Sequence, residues 1–185
     1  ARTGITATPL CEGIDLIGGH YHNGHNHGAD PHIWTSPREL RVMASNLHNH
    51  LRTIFPDSTH YDARYAQLDS ALVELDLYVA SCWAVADHDY FIIYHPALTY
   101  YARAYGIEQV AIEQDGREPS ARSLTTLIER ARRDSVKRIF YQRPYPASVV
   151  EVTAESIGAE AFEFDPLAED VRGMIRSITV NMALE

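Results

Sequence analysis

From residue 90 onward the chain alternates short apolar strands with amphipathic helices, and this order predicts an α/β fold. Four strands and four helices in βαβαβαβα sequence imply a parallel four-stranded sheet with helices on both faces. A long helical pattern precedes them, with apolar residues repeating through Tyr65, Leu68, Leu72, Leu75, Val79, Cys82 and Ala86 in steps of three and four. Together these patterns predict a long helix, whose length suggests a strut between lobes, followed by an α/β unit. The expected organisation is a segment with the His-rich loop and one helix over 1–57, the long helix over 58–88 and the α/β unit over 89–185.

The first 34 residues lack a clear period. They hold Gly19-His20-Tyr21-His22-Asn23-Gly24-His25-Asn26-His27-Gly28 and then Asp30-Pro31-His32-Ile33-Trp34. A Gly, Asn and His tract has nothing to bury, so packing does not explain it. Neutral imidazole is the commonest protein ligand for zinc and similar borderline metals, which makes metal contact the leading reading here. Ser36-Pro37-Arg38-Glu39 reads as a helix start, with serine at the N-cap, proline at the first helical position and glutamate three residues after the cap. That helix should run to Ile54 before Pro56, its apolar face carried by Leu40, Met43, Leu47, Leu51 and Ile54. His48 and His50 lie two apart on different faces and are expected to be surface histidines. The second helix should span Ser58 to Ala86, about 40 Å at 1.5 Å per residue. Cys82 lies in its apolar stripe and is expected to be a buried thiol, and Cys11 and Cys82 form no zinc-ribbon spacing.

Tyr90–Tyr94 is the first strand by its aromatic and β-branched content. A short helix over Leu98–Tyr105 should close at Gly106. Gln109–Ile112, Val136–Tyr141 and Ala161–Phe164 are the remaining strands. Between them fall a helix opened by Ser120 and a helix over Ala147–Ile157 closed by Gly158. The helix from Val171 to Met182 comes last. In such sheets ligands bind beyond the carboxyl ends of the strands, which selects His95 after the first strand and Asp165 after the fourth. One imidazole and one carboxylate make half of a tetrahedral site, and His32 would add to it. The competing reading gives both residues ordinary capping or turn roles.

Composition narrows the function. The chain has 185 residues, 45% hydrophobic and 22% charged, with a formal charge of −9. An acidic balance argues against nucleic acid, whose phosphates require a basic surface. There is no apolar run long enough to span a membrane. No HExxH, GxSxG or P-loop pattern occurs, so enzyme signatures are thin. A zinc-dependent hydrolase remains the rival reading, with a metal buffer or chaperone as the third. No general base distinct from the proposed ligands is evident.

Several phrases resemble the zinc- and manganese-binding solute-binding proteins of ABC transporters, a periplasmic or lipid-anchored family (cluster A-I). They are Gly13-Ile14-Asp15-Leu16-Ile17 before the His-rich loop, Asp30-Pro31-His32-Ile33-Trp34-Thr35-Ser36-Pro37, and His95 with Tyr100-Tyr101-Ala102-Arg103-Ala104-Tyr105-Gly106. Glu118-Pro119-Ser120-Ala121, Val136-Lys137-Arg138-Ile139-Phe140 and Phe164-Asp165-Pro166-Leu167 follow in family order. The resemblance implies two α/β lobes joined by a long helix, with His32, His95 and Asp165 as metal ligands. It implies zinc in preference to manganese, because position 95 is histidine where manganese-selective relatives tend to carry glutamate. His20, His22, His25 and His27 would form an accessory, weaker chelating loop. The implied partner is a membrane permease, and the implied role is binding rather than catalysis. A further histidine ligand would come from residues before position 1, so the chain is expected to be a fragment lacking most of the first lobe. Exposed apolar surface on the helix from Ser36 to Ile54 is then expected to promote dimerisation or leave the first fifty residues poorly ordered. Gln142 stands where relatives commonly carry an acidic residue, and Pro96 where some carry aspartate.

Overall fold

The computed structural model describes residues 8–18, 21–22, 25–26, 28–113, 116–143, 145 and 147–184. The chain divides into two compact units, Ala1–Tyr78 and Val79–Glu185.

In the first unit, β1 (Tyr21–His22) and β2 (His25–Asn26) form a two-stranded antiparallel ladder in which His22 opposes His25. Below them, Asp30 N donates to Ile17 O at 2.9 Å. A 3₁₀ turn over Ile33–Thr35 leads into α1 (Pro37–Ile54). Ser36 is the N-cap and Pro37 opens the helix, as the sequence implies. The capping is done by the backbone, however: Leu40 N donates to Ser36 O, while Ser36 Oγ is buried and finds no hydrogen-bond partner among the described residues. α2 (Thr59–Trp83) has 25 residues, or about 37 Å of helix, and the division between the units falls within it. Arg38 pairs with Asp76, Arg41 with Asp69 and His48 with Asp62, so rising numbers on α1 meet falling numbers on α2. The two helices are therefore antiparallel. The solvent-exposed Arg38–Asp76 pair adds little stability and mainly sets alignment. On α1 only Pro37 and Ala44 are buried, while Leu47 and Ile54 are about half exposed. Of the apolar face expected to be exposed on this helix, Leu47 and Ile54 are exposed while Leu40, Met43 and Leu51 are half-buried.

In the second unit, β3 (Tyr90–Ile93), β4 (Glu108–Ala111), β5 (Arg138–Gln142) and β6 (Glu160–Phe164) form a parallel sheet in the order β4-β3-β5-β6. The helices α3 (Thr99–Tyr105), α4 (Ala121–Arg133), α5 (Ala147–Ile157) and α6 (Val171–Ala183) alternate with them. This is the expected α/β architecture. Element ends move by no more than two residues from the sequence expectation except at the long helix, which stops three residues early. Gly106 ends α3 in the left-handed region at φ 69°, where its lack of a Cβ carries no strain.

One sheet face presents Tyr90, Ile92, Tyr94, Ile112, Ile139 and Tyr141 to Ala131 of α4 and to Val150 and Ala154 of α5. By strand alternation Phe91, Ile93 and Phe140 point the other way, and the rings of Phe91 and Phe140 meet edge to face at 6.5 Å and 88°. Elsewhere in this unit Trp83 Nε1 donates to Tyr101 Oη, which also bonds Thr179 of α6. The chain leaves β3 toward β4 on one side and returns from β4 to β5 on the other. The carboxyl ends of β3 and β5 are thus the point where the strand order reverses, the place where open α/β sheets bind their ligands.

Candidate metal centre

His95 stands at that point. Tyr94 N donates to Phe140 O, extending β3 against β5 by one residue. On the other side Ile112 N donates to Ile93 O and Glu113 N to Tyr94 O, extending β4. Because Ile93 is registered with Ala111, two further residues bring His95 alongside Glu113. The His95 Nδ1 lies 3.2 and 3.3 Å from the two Glu113 carboxylate oxygens. Glu113 is 7% exposed. Tyr145 stacks on the imidazole at 5.0 Å and 21°. Gln142 Nε2 donates to the His95 carbonyl at 2.8 Å, so ring and backbone are both held. The amide Oε1 of Gln142 is buried and accepts no hydrogen bond among the described residues. Burial, followed by the Glu113 charge, raises the hydroxyl pKa values of Tyr94 and Tyr145 above their ordinary level.

Asp165 follows β6 at the same edge of the sheet and is exposed. Its Oδ1 accepts from Leu167 N at 2.9 Å, and Ala168 N donates to its carbonyl. This is the turn role given above as the competing reading, and it positions the carboxylate at the strand end.

His32 lies in the first unit. Asp30 Oδ1 accepts from the His32 backbone N at 2.9 Å and meets its Nδ1 at 2.7 Å. Thr35 Oγ1 donates to the His32 carbonyl, and Trp34 lies at 5.7 Å from the ring. Among the accessory histidines, His20 and His27 fall outside the described residues, and His22 and His25 are paired in register on the small ladder. No group of three His, Cys, Asp or Glu side chains among the described residues forms a ready-made metal cage.

The remaining described histidines differ in chemistry. His48, expected at the surface, is largely buried: it stacks on Tyr65 at 4.3 Å and bonds Asp62 through Nε2. The closely paired helices enclose it, which the residue spacing on one helix could not reveal. His50 Nε2 bonds Thr8 Oγ1. His88 uses both ring nitrogens, one on Asp87 and one on the Met182 carbonyl. In His32 and His95, as in His88, Nδ1 is turned to a carboxylate. In metal sites this arrangement orients a histidine and presents Nε2 to the ion.

The carboxylate beside His95 and the roles of Asp30, Gln142 and Tyr145 are absent from the sequence reading. A usable signal existed for Glu113: pairing the first two strands of the sheet at their apolar centres places it next to His95. Cys82 is the expected buried thiol, Cys11 is half-buried, and neither is in a disulfide. No helix among the described residues is long and apolar enough to cross a membrane.

Comparison with known proteins places this geometry in context. The zinc-binding protein AdcA of Streptococcus pyogenes serotype M6 is 29% identical over 151 residues, covering 80% of this chain and 29% of AdcA. A putative metal-binding protein of Treponema pallidum is 32% identical over 144 residues, covering 76% of this chain and 45% of that protein. The chain therefore spans less than half the length of these curated relatives. A crystal structure of ZnuA superposes with a TM-score of 0.83 at 29% identity, covering 93% of this chain and 67% of the other. A zinc-bound ZnuA deletion mutant gives 0.82, also at 29% identity, with 95% and 69% covered. The family model for the periplasmic component A of zinc-uptake complexes, ZnuA, matches residues 2–181, and the chain belongs to that family.

Proposed function

We propose that this chain carries zinc outside the cytoplasm and hands it to the membrane permease of an ABC uptake system, acting as a binding protein and not as an enzyme. The proposed ligands are His32, His95 and Asp165, with His20, His22, His25 and His27 as a weaker accessory chelator. The observation that carries this reading is the pairing of His95 with Glu113 at the strand-order reversal, where the fold gathers loops at the carboxyl ends of the sheet. Membership of the zinc-uptake family and the zinc-binding names of AdcA and the zinc-bound ZnuA neighbour support the choice of metal. Two imidazoles with one carboxylate also suit zinc better than manganese, which favours oxygen donors. A periplasmic or lipid-anchored location follows from the same family reading.

The two imidazoles would ligate zinc as neutral donors, and Asp165 would supply one negative charge against the two of the ion. Such a site holds zinc while leaving it able to exchange toward a second set of ligands on a permease. Accessory histidines in a Gly- and Asn-rich tract bind more weakly, because ordering the backbone costs about 1 kcal/mol or more per residue.

Calorimetric titration of zinc into the chain and into His32→Ala, His95→Ala and Asp165→Ala variants tests the assignment. Each histidine variant should lose more than the ~10–100-fold that altering a group behind a ligand costs. Unchanged tight binding in both histidine variants would overturn the site. Transport into vesicles carrying the cognate permease, abolished by the same substitutions, tests delivery separately.

A further inference from the structure

We propose that Glu113 is the positioning residue of the His95 ligand, accepting the Nδ1 proton so that the imidazole holds its lone pair on Nε2 for zinc. This inference rests on the reading of His95 as a ligand and adds to it the residue that sets its tautomer and direction. A neutral imidazole has two tautomers, and only one presents Nε2 to a metal. Nothing local to His95 chooses between them, because its neighbours in sequence are Tyr94 and Pro96.

The choice comes from the sheet. The β3–β4 register carries Glu113 to the ring, and its backbone N–H is pinned to Tyr94 O at 2.9 Å. Both carboxylate oxygens lie at nearly equal distance from Nδ1, 3.2 and 3.3 Å, so either oxygen can accept its proton. The carboxylate is nearly buried, and Tyr145 closes one face of the ring. Taking a carboxylate out of water is costly unless it gains a strong partner. A buried carboxylate whose partner is a proposed ligand has a use there that simple packing does not supply. An apolar residue of similar size would fill the same space without that desolvation cost. The chemistry matches the carboxylate–histidine–metal triads, in which the carboxylate raises the basicity of the ligand and fixes its orientation.

The test combines zinc calorimetry with long-range ¹H–¹⁵N NMR of the imidazoles in the metal-free chain, read in parent, Glu113→Leu, Glu113→Gln and His95→Ala proteins. In the parent, His95 should show the Nδ1–H tautomer. Glu113→Leu should mix the tautomers and weaken zinc by ~10–100-fold, with the far-UV spectrum unchanged. Glu113→Gln retains an acceptor of the same size without its charge and should lose about threefold to tenfold. This variant carries the test if Glu113→Leu fails to fold. An Nε2–H tautomer in the parent, or zinc binding within twofold of the parent in the folded Glu113 variants, would overturn the proposal. Loss of affinity in His95→Ala with none in the Glu113 variants sinks the positioning role alone. Unchanged affinity in His95→Ala sinks the ligand reading beneath it, even where the NMR shows the Nδ1–H tautomer.

Discussion

His32 and His95 each turn Nδ1 toward a carboxylate, Asp30 at 2.7 Å and Glu113 at 3.2 Å, but the two partners arrive by different routes. Asp30 is two residues away in the chain, and the same oxygen accepts from the His32 backbone. Its hold is a local turn. Glu113 is eighteen residues away and arrives only because β3 and β4 pair in one register. A slip of one residue would turn the side chain to the other face of the sheet. One histidine is thus held by sequence proximity, the other by the cooperative fold of a whole sheet, and the two should respond differently to perturbation.

The sharpest separation should come from Ile112→Ala. Ile112 is fully buried, belongs to the core beneath α4, and directly precedes Glu113. Removing three carbons there should cost ~2–5 kcal/mol of stability in urea unfolding. The His95 tautomer signal should broaden or mix, while that of His32 stays as in the parent. Equal disturbance of both histidines would break the distinction between local and register-borne hold.

Asp30→Ala tests the local side. It removes the acceptor for both the ring and the backbone of His32, so zinc affinity should fall ~10–100-fold in calorimetry. Global stability should drop by no more than ~2 kcal/mol, the usual worth of the two hydrogen bonds removed. A large fall in stability would show that the Asp30 turn is part of the cooperative core after all. Tyr145→Leu removes the ring stacked on His95 but leaves Glu113 in place. Aromatic pairs are worth ~0.5–1.5 kcal/mol, so zinc should weaken about twofold to tenfold. A loss as large as that of Asp30→Ala would mean that stacking, and not the carboxylate, directs the ring.

The same contrast explains what could be read from the residues alone. Local signals carried through well: Ser120 caps its helix by accepting from Ser123 N, Gly106 ends α3, and the apolar runs became the four strands. His95 was found because a residue just after a strand is a local feature. Glu113 was missed because its importance is a property of strand order and register. The parallel order places β4 beside β3, and βαβ connectivity alone leaves both neighbours of β3 open. His48 was misjudged for a similar reason, since Tyr65 and Asp62 reach it from another helix. The use of Asp30 was local, and an Asx-type turn in Asp30-Pro31-His32 is a readable pattern that proximity to the histidine tract obscured.

The smallest expected effect lies at the opposite end of the β3–β4 ladder. There Tyr90 is registered with Glu108, and Arg130 ties the two together, lying 4.1 Å over the Tyr90 ring and bonding both Glu108 oxygens at 3.0 and 2.6 Å. Burial, and then the hydrogen bond to Asp134, push the Tyr90 hydroxyl up to about 12. An unfolded tyrosine ionises near 10, so between pH 10 and 12 the unfolded chain releases a proton that the folded chain keeps. The contribution of this group is fully present below pH 10 and is lost as pH rises through 12, at about 1 kcal/mol by pH 11. Tyr90→Phe should remove that component and flatten the alkaline limb of a stability profile, with no change in its pH dependence near neutrality. Because this end of the ladder lies a strand's length from His95, zinc affinity at neutral pH should stay within twofold of the parent. A marked loss of affinity would show that the register is set from the Tyr90 end, and that the hold on His95 is a property of the entire ladder and not of its last rungs.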